Sequence, residues 1–383
     1  MKHNLCDCAS LFNTFGMSKE FKRKQKEKQP VVAICYDFDK TLSPNDMQAQ
    51  GYIQSVGYDV ESFWKESNGL AEENEMDQNL AYMFTMIQKA HGKLLFTKDT
   101  LRKYGSQVKL FPGVETWFSR IREYGKSKGV IVEHYIISSG LKEMIEGTKV
   151  AGEFEKIYAS SFYYDKDGVA QWPAQVINYT SKTQFLFRIE KGTLDVNDAG
   201  VNDYFAPEDL RIPFRNIVYI GDSDTDIPCM KLVNSYSGHS IGVYNPETND
   251  KRKVYKMMED KRIKYFAPAD YTEHSELDAL VKAIIDQTAS NEKLMSVHYQ
   301  NKKEQAGNGK KEQHPEDKEK EKLILDLENS QSFKQTHSII SKLKAIRHWT
   351  EDEKQQLRDI AKENNQVAYV MNDYDVAEFY NSL

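Results

Sequence analysis

The stretch Val31-Val32-Ala33-Ile34-Cys35-Tyr36-Asp37-Phe38-Asp39-Lys40-Thr41-Leu42 constrains this chain more than any other. Its uncharged run, with two valines and an isoleucine, predicts a strand buried on both faces, as in the interior of a parallel sheet. The run ends in two carboxylates that cannot belong to a core. Residues two apart on an extended chain share a face, so Asp37 and Asp39 leave the strand aimed into one space. Like charges at that range raise a pKa unless a cation lies between them, and a hard ion such as Mg²⁺ is the natural partner. One carboxylate can then attack an electrophile while the other moves protons. Asp-x-Asp by itself reads as a solvated strand-to-loop turn; the surrounding string changes that reading.

Three further stretches continue the pattern. Val130-Ile131-Val132-Glu133-His134-Tyr135-Ile136-Ile137 predicts a second strand, ending in Ser138-Ser139-Gly140. Thr180 to Ile189 has helical periodicity, with Lys182 near its start. Asn216-Ile217-Val218-Tyr219-Ile220 predicts another buried strand, running into Gly221-Asp222-Ser223-Asp224-Thr225-Asp226. An EF-hand loop would need a glutamate at its twelfth position, which this acidic loop lacks.

In this order the four stretches resemble the motifs of the haloacid dehalogenase-like (HAD) phosphohydrolase superfamily, over about residues 31–288. The resemblance implies an α/β fold: a Rossmann-like core with a parallel sheet and helices on both faces. It also implies a helical cap inserted between the first two motifs, as in phosphoserine phosphatases and one group of 5′-nucleotidases. Asp37 would be the nucleophile and Asp39 the acid and base. Thr41, Ser138, Ser139, Gly140 and Lys182 would bind the phosphoryl group, with Lys191 the second choice for the lysine. Mg²⁺ would be held by Asp37, the backbone carbonyl of Asp39, Asp222, and Asp226 directly or through water. Dehalogenase and phosphonatase branches lack an aspartate two residues after the nucleophile, so the implied activity is Mg²⁺-dependent hydrolysis of a small phosphorylated metabolite through an aspartyl-phosphate. The alternatives are a phosphotransferase on the same site, 5′-nucleotidase-like specificity, and a non-catalytic binding protein derived from the same fold.

A net charge of −6 and a pI near 5.9 give no global pull toward nucleic acid or an anionic membrane, so composition points to a small or local partner, which the resemblance implies is a small phosphorylated substrate. Cys6, Cys8, Cys35 and Cys229 suggest neither a disulfide framework nor a zinc site. With no apolar run of about 18 residues and no secretory h-region, a cytoplasmic protein with no membrane partner is expected.

The expected organisation is a basic segment at 1–30, a core at 31–44 and 131–288, a helical cap at 45–130, a polar linker at 289–322 and a helical module at 323–383. In the cap, Tyr58 to Trp64 opens one amphipathic segment, and Leu80, Met83, Phe84 and Ile87 form a second apolar stripe. Phe111-Pro112-Gly113-Val114 marks a turn into the next helix, Asp167-Gly168 a hairpin, and Lys19 to Lys28 a solvated lead-in. In the tail, Ile339, Ile340, Leu343 and Ile346 share a helix face, Thr350-x-x-Glu353 reads as a capping box, and Asp373 is placed to cap a last helix. That module has three readings: it packs on the core, it dimerises, or it binds another protein.

Overall fold

The computed structural model describes residues 21–308, 315–346 and 348–383, so Cys6 and Cys8 lie outside the described residues. Seven strands, β1 (Val31–Tyr36), β2 (Ile131–Leu141), β3 (Lys156–Tyr164), β4 (Ala170–Gln175), β5 (Ile217–Gly221), β6 (His239–Tyr244) and β7 (Tyr265–Pro268), form one sheet in the order β4-β3-β2-β1-β5-β6-β7. Every pairing is parallel except that of β3 with β4, the hairpin expected at Asp167-Gly168. β1 lies at the centre, and all six of its residues are buried.

The period of two along β1 assigns its side chains to two cores. Val32, Ile34 and Tyr36 face a cluster built with Val114, Trp117, Phe118 and Ile121 of α5 (Val114–Ser127), while Val31, Ala33 and Cys35 face the opposite cluster. The second cluster is completed by Phe185, Leu186 and Ile189 of α7 (Thr183–Lys191) and Cys229, Met230 and Val233 of α8 (Ile227–Ser235). The result is the α/β architecture expected from the sequence, with helices on both faces of a mostly parallel sheet. Between β1 and α5 the chain makes α1 (Tyr52–Ser55), α2 (Val60–Glu73), α3 (Gln78–Ala90) and α4 (Lys98–Gly105). No helix among the described residues is long and apolar enough to cross a membrane.

Several sequence expectations need correction. The stripe on α3 is rotated: Ala81, Tyr82, Met83, Thr85 and Met86 are buried, whereas Phe84 is 46% exposed. α3 packs against α2 and also faces the core, and the inward face is the one carrying Tyr82. The stretch 289–322 is mostly helical, because α10 (Glu276–Asn308) continues without a break from the core and α11 (Pro315–Glu328) follows. Helix once nucleated by the buried turns of Leu277, Val281 and Ile284 extends at little cost through lysines, glutamates and glutamines. In α11, Leu323, Ile324 and Leu327 join the module's own core with Ile339, Ile340, Leu343, Leu357, Ile360, Val376 and Phe379. The Thr350 capping box forms at the start of α13 (Glu351–Glu363). Asp373 makes no side-chain cap, because its carboxylate accepts from His337, 3.1 Å away, while Asp375 takes the other ring nitrogen at 2.7 Å.

The described part of the basic N-terminal segment is not a solvated lead-in. Arg23 lies 3.6 Å over the Phe205 ring, and Lys24 contacts Glu133 at 2.7 Å and Glu155 at 2.6 Å. Arg211 meets the same Glu133 through two nitrogens, at 2.7 and 2.8 Å. Burial opposes the Glu133 charge, but hydrogen bonds from Arg211, Lys24 and Tyr135 override it and hold the carboxyl down to about 2. A depressed carboxyl contributes stability that is present above its unfolded pKa, near 4.5, and lost as pH falls toward 2. Arg211→Met should therefore lower unfolding free energy by about 3–5 kcal/mol at pH 7, the typical cost of breaking a buried pair. Urea titrations followed by tryptophan fluorescence should show that deficit shrinking between pH 4.5 and 2.

Candidate active site

The C-terminal ends of β1, β2 and β5 bring the expected residues together. The β1 chain continues beyond Tyr36 with the Asp37 amide donating to the Ile220 carbonyl at 2.9 Å, which fixes Asp37 beside the end of β5. Carboxylate oxygens of Asp37, Asp222 and Asp226 lie within 4.8 Å of one another. Lys182, fully buried just before α7, places its ammonium 2.7 Å from Asp226 Oδ1 and 3.4 Å from Asp37 Oδ1. Burial opposes its charge, and the nearby Asp226 and Asp37 more than restore it, so the amine stays protonated. Lys191 is elsewhere: its ammonium donates to the carbonyls of Val201 and Asp203, so of the two lysines it is Lys182 that the structure places beside Asp37.

The acids divide by environment. Burial first, and then Asp226, push Asp37 up to about 6 against the pull of Lys182. Asp222 is pushed up to about 7 by burial and by Asp226. Asp39 stands well above the usual carboxylate range because of burial and the charges of Asp46 and Asp37. Its Oδ1 accepts the Met47 amide at 2.8 Å, so its proton would sit on the other oxygen. Asp39 is not part of the close oxygen triad, so its carboxylate has a different environment from that of Asp37.

Asp226 is the most committed of the four. Its Oδ1 accepts from Lys182 and from the Tyr219 hydroxyl at 2.9 Å, and its Oδ2 from the Ser223 amide at 3.1 Å and hydroxyl at 3.0 Å. A carboxylate offers about four lone-pair sites, so these donors would have to yield before Asp226 could ligate a cation, directly or through water. Gly221 makes this arrangement sterically available: a Cβ there would lie 2.5 Å from Asp226 Oδ2. Asp37 and Asp222 retain free oxygens.

On β2, Ser138 lies beside Asp37 and accepts the Gly140 amide at 3.0 Å. A Cβ on Gly140 would meet Met47 Cε at 2.5 Å and Asp39 Oδ2 at 3.0 Å, so only glycine allows the loop after β1 this close. The Ser139 carbonyl is fixed from two sides, by the Tyr82 hydroxyl of α3 at 2.8 Å and the Ser160 hydroxyl at 3.1 Å. Asp37 Oδ1, Thr41 Oγ1 and Ser139 Oγ are buried without a hydrogen-bond partner. Orphaned polar atoms are few in native interiors, and here one belongs to Asp37, whose Oδ1 has only the 3.4 Å ion pair with Lys182, while the other two lie on the segments that follow Asp39 and Ser138. A hard divalent cation fits the donor set, because burial and then mutual repulsion raise the carboxylates, and Lys182 is the only fully buried cation beside them among the described residues.

Two contributors were not anticipated. Tyr82 sits one position off the stripe read for α3, and Tyr219 belongs to a strand whose residues all read as core. Period alone cannot separate a tyrosine that fills space from one whose hydroxyl reaches a buried carboxylate.

Comparison with known proteins agrees with this geometry. The chain belongs to the haloacid dehalogenase-like hydrolases: that family's model matches residues 34–231, just over half of the 383. It is similar to an uncharacterized protein of Borreliella burgdorferi, 28% identical over 279 residues that cover 66% of this chain and 95% of the relative. Among solved structures it is similar to a HAD family hydrolase of Salmonella enterica serovar Typhi, with 17% identity, TM-score 0.44, and coverage of 68% of this chain and 73% of the other. A probable phosphoserine phosphatase of Vibrio cholerae matches with 11% identity, TM-score 0.44 and coverage of 69% and 67%. A phosphoserine phosphatase carrying a phospho-aspartyl intermediate analogue matches with 17% identity, TM-score 0.39 and coverage of 67% and 99%.

Cation binding should therefore be measurable as stability. A carboxyl whose folded pKa is raised costs stability as pH rises through its unfolded and folded values, and a cation on the same oxygens removes that cost. At 100 times its dissociation constant a divalent ion should stabilise the fold by about 2.7 kcal/mol. Thermal melts with and without the ion should show the gain above pH 7 and its decline as pH falls through 7 and 6, where Asp222 and Asp37 take up protons. Asp222→Asn should remove most of it.

Proposed function

We propose that the protein is a Mg²⁺-dependent phosphomonoester hydrolase acting through an aspartyl-phosphate on Asp37, with a small phosphorylated metabolite as substrate. The observation that carries this reading is the buried Lys182 ammonium bridging Asp37 and Asp226, with Asp222 completing a cluster of carboxylate oxygens within 4.8 Å of one another. An ammonium has three donors, and two face carboxylates, which leaves one for an incoming phosphoryl oxygen.

In the first step an Asp37 oxygen forms a bond to phosphorus as the ester oxygen leaves, taking the proton that Asp39 holds. The raised pKa of Asp39 keeps that proton available at neutral pH. In the second step Asp39, now ionised, removes a proton from water as the water oxygen bonds to phosphorus and the Asp37 bond breaks. Asp39 ends protonated and Asp37 free. Lys182, Ser138 and the orphaned hydroxyls of Thr41 and Ser139 are the donors for the equatorial oxygens. Mg²⁺ held by Asp37, Asp222 and the Asp39 backbone carbonyl would offset the negative charge that Asp37 and the phosphoryl group present to each other.

Hydrolysis of p-nitrophenyl phosphate by purified protein tests the reading. Turnover should require Mg²⁺, vanish with EDTA, and fall on the order of 10³-fold or more in Asp37→Asn, as for other lost nucleophiles. A folded, cation-binding protein with no turnover of any small phosphoester would defeat it.

A further inference from the structure

The Tyr219 hydroxyl has no part in the steps above, yet it lies beneath them. Tyr219 pairs with Cys35 of β1, and Cys35 pairs in turn with Tyr135 of β2. All three side chains belong to the core on the α7 and α8 side, with Ile137. From β5 the phenol spans β1, so that its oxygen lies 2.9 Å from Asp226 Oδ1 and 3.5 Å from the carbonyl of Ile137, the residue before Ser138. Both neighbours are acceptors, and the one hydroxyl proton goes to the nearer, charged oxygen. That oxygen is the same one Lys182 holds at 2.7 Å.

We infer that Tyr219 is a positioning residue that fixes the Asp226 carboxylate, and through it aims the Lys182 ammonium at Asp37. The inference rests on the phosphatase reading only for its kinetic consequence; the geometry stands without it. Without Tyr219, Asp226 Oδ1 keeps Lys182 as its single donor, and the carboxylate can turn about its bond to Cβ while Ser223 still holds Oδ2. Lys182, 3.4 Å from Asp37, then loses its fixed direction. Such a shift weakens an interaction needed most as charge develops at phosphorus, so it acts on kcat more than on KM. Tyr219 is fully buried and phenylalanine keeps its ring, so Tyr219→Phe removes the hydrogen bond without opening a ring-sized cavity.

Two readouts decide the matter. Losing one charge-assisted hydrogen bond should lower kcat about tenfold, with KM within about twofold. In an Asp226→Asn background Tyr219→Phe should cause no further loss, because the wire it serves is already broken. Independently of turnover, protein labelled with ¹⁵N-lysine should show the shielded Lys182 ammonium resonance, assigned by its disappearance in Lys182→Met. In Tyr219→Phe that resonance should move and its hydrogens should exchange faster with water. An unmoved resonance, or kcat losses that multiply in the double variant, would show that Tyr219 merely fills space. If the wild-type protein turns over no phosphoester, the phosphatase reading falls alone, and the ammonium resonance still decides the role of Tyr219.

Discussion

One ammonium without solvent organises the functional end of this protein. Lys182 is fully buried and faces two carboxylates that are themselves almost entirely buried. Neither sign could occupy that interior alone, since an unpaired buried charge costs several kcal/mol. The pairing is also incomplete: three acids share space with one buried cation, the half-exposed Lys253 reaches Asp222 only at 3.8 Å, and Asp37 and Asp222 remain raised to about 6 and 7. Close-packed carboxylates with too few partners cost stability, and a fold retains such an arrangement where a ligand relieves it. The deficit of positive charge and the orphaned hydroxyls thus describe one feature from two sides.

The sheet makes that arrangement rigid. β1, β2 and β5 are adjacent and parallel, so their C-terminal ends come out at one level, and Asp37, Ser138 and Asp222 follow from three neighbouring strands. Glycine at 140 and 221 lets the loops close over each other where any side chain would intrude. Helix α3 reaches in through Tyr82, which donates to the Ser139 carbonyl, and through Asn79, whose amide donates to the Ile177 carbonyl at 2.6 Å. The helices inserted after β1 therefore touch the Ser138–Gly140 segment itself and the segment leading to Lys182.

The parts legible in the sequence were those where one local pattern and one physical demand coincide. β1 and β5 are uncharged runs that end in acids, and their burial on both faces follows from that composition. Lys182 was legible as a candidate, but what separates it from Lys191 is burial, which no pattern of nine residues specifies. The face of α3 was misread because Phe84 and Tyr82 are both large and aromatic, and only the packing of α2 decides which turns inward. β7 went unnoticed because four residues ending in proline carry almost no periodic signal. The helical continuation of α10 was hidden by composition: a polar stretch that cannot form a core can still prolong a helix that already has one.

The two ends of β2 show how a charge cluster that serves the fold differs from one that serves chemistry. Near its start, Glu133 is surrounded by Arg211, Lys24 and the Tyr135 hydroxyl, and the carboxyl is held down to about 2. Its charges are paired, and nothing about it calls for a ligand. At the other end Ser138 leads into a group of acids pushed upward, with polar atoms left without partners. Both clusters are buried, both join β2 to distant segments, and both contain lysine with carboxylates. Burial and ion pairing are common to the two, and the carboxyl shifts separate them: hydrogen bonds override burial at Glu133, whereas burial and neighbouring acids prevail at Asp37 and Asp222. Of the two ends, the one bearing Asp37 is where closely spaced buried acids outnumber the buried cation beside them.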